Sequence, residues 1–66
     1  NRQNTVVQDI MKQIADENMG LMPMSRILDR GMLRGIDDTI VRSVVQKLSR
    51  SGVIYESKPG TYEFVN

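Results

Sequence analysis

The chain has 66 residues, no Cys, no His, and nine basic against eight acidic side chains, for a net charge of +1. A chain this short makes one domain that buries only about 60 % of its unfolded surface, and it has no disulfide and no ordinary zinc site to staple its core. The charge is far from that of a dedicated nucleic-acid domain, no run of about 18 apolar residues can span a membrane, and no basic-then-apolar targeting segment opens the chain.

Residues 1–4, Asn-Arg-Gln-Asn, are polar and are expected as a linker end, leaving residues 5–66 as one domain. From Thr5, the apolar positions Val6, Val7, Ile10, Met11 and Ile14 follow the i, i+3, i+4 spacing of a one-sided helix. That spacing predicts a helix over about residues 5–17, opened by a Thr5/Gln8 capping box and closed at Asn18 and Gly20. Leu21 and Met22 are extended and apolar, candidates for a short strand. Pro23 fits the first turn of a second helix, because its missing N–H would be unpaired there anyway. Met24, Ile27 and Leu28 form that helix's apolar stripe, and Gly31 is expected to stop it.

The strongest helical pattern follows, in DDTIVRSVVQKLSRSG. Asp37 or Asp38 caps its start, where a carboxylate meets free N–H groups and the positive end of the helix dipole. Ile40, Val41, Val44, Val45 and Leu48 face inward, and Gly52 is the expected left-handed cap. Two β-prone runs, Val53-Ile54-Tyr55 and Tyr62-Glu63-Phe64-Val65, then flank a Lys-Pro-Gly tip, the pattern of a hairpin. A lone hairpin is marginal in water, so this one must lean on the third helix. There is no internal repeat and no low-complexity tract. The expected fold is α+β, mostly α: a winged helix-turn-helix of three helices plus a β-hairpin wing.

The residue inventory argues against an enzyme. There is no His or Cys, no Gly-rich phosphate loop with its Lys, and no nucleophile–base pair. Adjacent Asp37 and Asp38 read as caps rather than as a metal or acid–base pair. No metal site and no cofactor are expected. Arg42, Gln46 and Arg50, spaced i, i+4, i+8, lie along the outer side of the third helix with Ser43 and Lys47. In a helix-turn-helix this side can enter the major groove, where Arg pairs with guanine and Gln with adenine. The same residues also suit an ordinary solvated face, and the two aspartates at the helix start repel phosphate. Lys58 at the wing tip is a candidate phosphate contact. Four cations (Arg42, Lys47, Arg50 and Lys58) less the Glu56 carboxylate leave +3 on this half, enough for salt-sensitive contact only. Arg26, Arg30 and Arg34 form a possible second basic strip, although a helix stop at Gly31 leaves Arg34 free to diverge. Met11 and Met24 are expected in the core. Met19 and Met22, around a turn, are candidates for protein docking, since Met is adaptable at binding surfaces.

From Arg30 onward, RGMLRGIDDTIVRSVVQKLSRSGVIYESKPGTYEFV resembles the C-terminal winged-helix domain of the minichromosome maintenance (MCM) replicative helicases, especially archaeal ones. The resemblance rests on the Gly-Ile-Asp entry to the third helix, on Val44, Lys47, Leu48 and Gly52 at its end, and on the wing's Gly-Val-Ile-Tyr-Glu, Lys-Pro-Gly and Tyr. The winged helix of the replication protein A middle subunit is similar in layout but lacks this Lys-Pro-Gly tip. The MCM resemblance implies a non-catalytic accessory domain, tethered to a hexameric AAA+ ATPase motor that holds the ATP-binding and helicase chemistry. Implied partners are that motor, replication proteins and weakly held, non-specific DNA, with no membrane. The isolated domain is expected to be monomeric, in the cytoplasm or nucleoid, or in the nucleus of a eukaryote. A chain without Cys fits a reducing compartment, and a start at Asn rather than Met suggests a fragment of a longer protein. The chain departs from the family pattern at Glu63, where basic residues are common, which counts against a strong DNA-binding wing. Two other functions stay open: the DNA-binding domain of a transcription regulator, with the third helix as reader, and a winged helix used for protein interaction alone.

Overall fold

Twelve apolar side chains, from Val7 to Ile54, close one core in the computed structural model, which describes residues 2–66. The elements run α1 (Arg2–Glu17), β1 (Met22–Pro23), α2 (Met24–Leu33), α3 (Asp38–Arg50), β2 (Ile54–Lys58) and β3 (Thr61–Phe64). The three strands form one antiparallel sheet in the order β1-β3-β2. Helices, small sheet and hairpin have the winged-helix arrangement, mostly helical, that the sequence predicts.

Val7, Ile10, Met11 and Ile14 are the buried side of α1. The helix starts at Arg2, earlier than the expected Thr5, so Arg2 to Asn4 of the expected linker end are helical and the Thr5/Gln8 box is not its cap. No Pro or Gly precedes Thr5, and Arg and Gln are good helix formers, so nothing stops the helix there. Asn1 lies outside the described residues. At the other end Gly20 N–H donates to Ala15 C=O at 2.7 Å, and Asn18 Nδ2 donates to Leu21 C=O at 3.2 Å.

Met22 and Pro23 pair with Tyr62 and Thr61, and Met24 N–H donates to Gly60 C=O at 2.8 Å. The short strand is therefore real, shifted by one residue from Leu21 and Met22. Pro23 serves as the N-cap in extended conformation rather than as the first helical residue. It sits in an edge strand, where a missing N–H is tolerated. Met22 is fully buried.

Gly31 does not stop α2. It lies inside the helix, buried, and a Cβ placed on it would come within 2.8 Å of Val41 Cγ2. It is the notch through which α2 and α3 approach. The stop comes at Gly35, four residues later, in a left-handed conformation (φ +75°). Ile36 N–H donates to Gly31 C=O at 2.8 Å and Gly35 N–H to Met32 C=O at 3.0 Å, the paired bonds of a Schellman ending. Helix α3 ends the same way: Gly52 takes φ +79°, Val53 N–H donates to Leu48 C=O and Gly52 N–H to Ser49 C=O.

Asp37 caps α3, its side chain accepting from Thr39 N–H at 3.1 Å. Val41, Val44, Val45 and Leu48 are buried, with Ile40 packed at the margin. Ile54 carries the wing onto this core, and Tyr62 and Phe64 pack against it. Val53 and Val65 fall just outside the strands, joined by Val65 N–H donating to Val53 C=O at 3.0 Å.

The notch yields a stability prediction. Ala at position 31 should gain about 1 kcal/mol of helix propensity and lose about 1–3 kcal/mol to overpacking against a fully buried Val41. Gly31→Ala is therefore expected to be net destabilising by urea denaturation. In a Val41→Ala background the same change should be neutral or stabilising. An equal cost in both backgrounds would refute the notch.

Candidate nucleic-acid interface

Because Val41, Val44, Val45 and Leu48 point inward, the helical period turns Arg42, Ser43, Gln46, Lys47 and Arg50 outward, and all five are exposed. Arg42, Gln46 and Arg50 follow one line along α3, each about 40° on from the last at 3.6 residues per turn. At the start of this line both Asp37 and Asp38 are exposed, and Asp37 is held there by its capping bond. Negative charge therefore stands at the end of α3 from which a recognition helix ordinarily reaches base edges.

The wing meets the other end of the line. Gln46, Ser49 and Arg50 of α3 form one wall of a shallow groove, and Glu56 and Tyr62 of the hairpin form the other. Ser49 and Tyr62 were missed in the sequence. Ser49 could have been found three residues from Gln46 on the same face. Tyr62 emerges only from its pairing with Glu56 across the strands. The register between β2 and β3 shifts between Glu56 and Lys58, leaving Ser57 as the extra residue of a bulge. Lys58, exposed, then opposes Thr61 at the tip. Glu56 has a role that its charge alone does not reveal: its Oε2 accepts from Gly60 N–H at 2.7 Å, tying the Pro59-Gly60 turn back to the strand. The carboxylate that braces the wing also sits across the groove from Arg50.

The second basic strip is partly spent. The guanidinium of Arg30 holds both carboxylate oxygens of Glu17, through Nη1 to Oε2 at 3.1 Å and through Nη2 to Oε1. This hydrogen bonding holds the Glu17 carboxyl below its ordinary pKa, aided by the charges of Arg30 and Arg26, and raises that of Arg30. Arg26 stays exposed. Arg34 is the C-cap residue of α2, at φ −96°, ψ 7°, and is exposed.

The two methionines proposed for docking separate. Met22 is in the core, which removes it as a docking residue, because alternation along β1 turns it inward. Met19 is 96 % exposed. Of the two expected core methionines, Met11 is fully buried and Met24 packs at the margin. Among the described residues no group of three or more His, Cys, Asp or Glu side chains is placed to hold a metal ion. Nor is any helix among them long and apolar enough to cross a membrane.

A family model for the MCM protein C-terminal winged helix-turn-helix domain matches residues 4–65. No curated protein and no solved structure matches the chain.

The Glu17–Arg30 pair sets a pH dependence. Folding lowers the Glu17 pKa, so its contribution is complete above the ordinary carboxylate value of about 4.3 and is lost as pH falls through the lowered value. Wild type should therefore be more stable than Glu17→Gln near neutrality, and thermal midpoints of the two should converge in acid. A gap unchanged by acid would show that the pair contributes nothing through its charge.

Proposed function

The chain belongs to the family of MCM protein C-terminal winged helix-turn-helix domains, and from that premise we propose that it is a non-catalytic accessory domain of an MCM-like replicative DNA helicase. In this role it modulates the AAA+ motor through protein contacts and touches DNA weakly and without sequence preference. ATP binding and strand separation belong to the motor, and the domain itself takes no cofactor. Its setting is the compartment that holds the chromosome.

One observation carries the DNA half of this reading. The exposed cations Arg42, Lys47, Arg50 and Lys58 lie on α3 and the wing that faces it, while carboxylates stand at the start of α3 and inside the groove. Such a surface attracts phosphate from a distance and discourages a close fit to bases. The aspartates at the start of α3 weigh against the transcription-regulator alternative, in which that turn would enter the major groove.

Titrating short duplexes into the labelled domain at low salt tests this. Amide shifts are expected on residues 42–50 and Lys58, similar for unrelated sequences. With three or four phosphate contacts, affinity should fall about 40- to 150-fold between 50 and 200 mM salt. Lys58→Ala should reduce the log–log salt slope by about 0.9. Strong preference for one duplex would favour the regulator. No shift at low salt would remove DNA contact and leave a protein-interaction winged helix.

A further inference from the structure

The three helices share one closing bond. In each, a backbone N–H reaches back five residues: Gly20 to Ala15, Ile36 to Gly31, Val53 to Leu48. The residue just before that donor must be left-handed. Gly35 and Gly52 fill the place in α2 and α3, whereas α1 puts Met19 there, at φ +58°. A side chain in this conformation is strained, and Met19 is 96 % exposed. Neither backbone nor core gains from a methionine here, and glycine would serve the fold better.

Met19 stands at a shallow groove between the end of α1 and β3, walled by Ala15, Asp16, Gly20, Glu63 and Phe64. Among the described residues, neither Asp16 nor Glu63 makes an ion pair, and no cation lines the groove. Glu63 also belongs to the outer face of the hairpin. There, alternation turns Val53, Tyr55 and Val65 outward while Ile54 is buried. Val53 and Val65 are joined by a backbone bond, and Tyr55 lies opposite Glu63, so they form one patch. The groove facing α3 uses the next pair along, Glu56 and Tyr62, and thus the other face of the hairpin.

We propose that the groove beside Met19, with the hairpin face that Glu63 shares, docks a basic, amphipathic peptide segment of a partner protein. An apolar side chain of the peptide seats against Met19 in the groove, which Phe64 lines from the inner side of the sheet where it pairs with Ile54, and a Lys or Arg bridges to Asp16 and Glu63. Methionine suits this role because its unbranched chain adapts to what it meets. Charge complementarity selects the partner: the carboxylates are unpaired among the described residues, and the apolar surface around them is of the kind that marks a contact site. The inference rests on the protein-contact half of the proposed function and names a face that DNA does not use.

The probe is a blocked 14-residue peptide with Leu at helical i, i+3, i+4 spacing and Lys or Arg elsewhere. The control replaces each cation with Glu. The basic peptide should shift the amides of Met19, Gly20, Glu63, Phe64 and Val65, leave residues 42–50 and Lys58 unmoved, and lose affinity with salt. The control should shift none. Met19→Gly should keep or raise the thermal midpoint yet weaken binding about fivefold or more. Glu63→Gln should weaken it similarly and flatten its salt dependence. Absence of shifts, shifts elsewhere, or binding that survives both variants would overturn the proposal. So would concentration-dependent shifts of this face without peptide, which would make a second copy the occupant. The duplex titration reads the opposite face on the same sample, so either result can fail without the other.

Discussion

The placement of α3, and of the wing that follows it, depends on the close approach of α2 to α3 at Gly31. With no side chain there, Val41 seats directly against the backbone of α2, and the crossing of the two helices is fixed by contact rather than by the turn between them. Once α3 is held at that depth, its remaining inward residues fill the core and its polar residues have only solvent to face. The wing inherits the same position, since Ile54 reaches the core that α3 completes. The geometry of the candidate interface is thus a consequence of a missing methyl group several residues away from it.

The electrostatics have a comparable economy. Three carboxylates each hold some part of the backbone or a side chain: Asp37 caps α3, Glu56 ties the wing turn, and Glu17 clasps Arg30 of the second basic strip. Each also offsets nearby positive charge. In the proposed DNA-contacting role, the weakness of the attraction for phosphate would therefore follow from the means by which the fold is stabilised. Substitutions that strengthened DNA binding by removing these acids would loosen a cap, a turn or an interhelical clasp.

Much of this was legible in the chain itself. Helical periodicity predicted three helices and their inward residues, and alternating β-prone runs around Lys58, Pro59 and Gly60 predicted the wing. What escaped the sequence were features decided by partners distant along it. Gly31 reads equally as a stop or as a notch until Val41 is known to lie above it. Met19 and Met22 have similar surroundings in sequence, yet one residue enters a strand and the other a left-handed turn. Arg30 looked like a free cation because Glu17 is 13 residues away. The outward line of Arg42, Gln46 and Arg50 was visible from spacing, whereas the groove it forms with Glu56 and Tyr62 required the strand register.

The strand order has a consequence for how the molecule comes to be made. The central strand of the sheet is β3, at residues 61–64, and it lies between β2 and a two-residue β1 near the first third of the chain. During synthesis the helices can form as they emerge, but β1 has nothing to pair with until residues 61 and 62 are free. Closure of the loop from Met22 to Tyr62 is therefore the late, long-range event in folding. Until then the hydrophobic face prepared for the wing stays open to water, and a nascent chain stalled before β3 should be recognised by chaperones as unfinished.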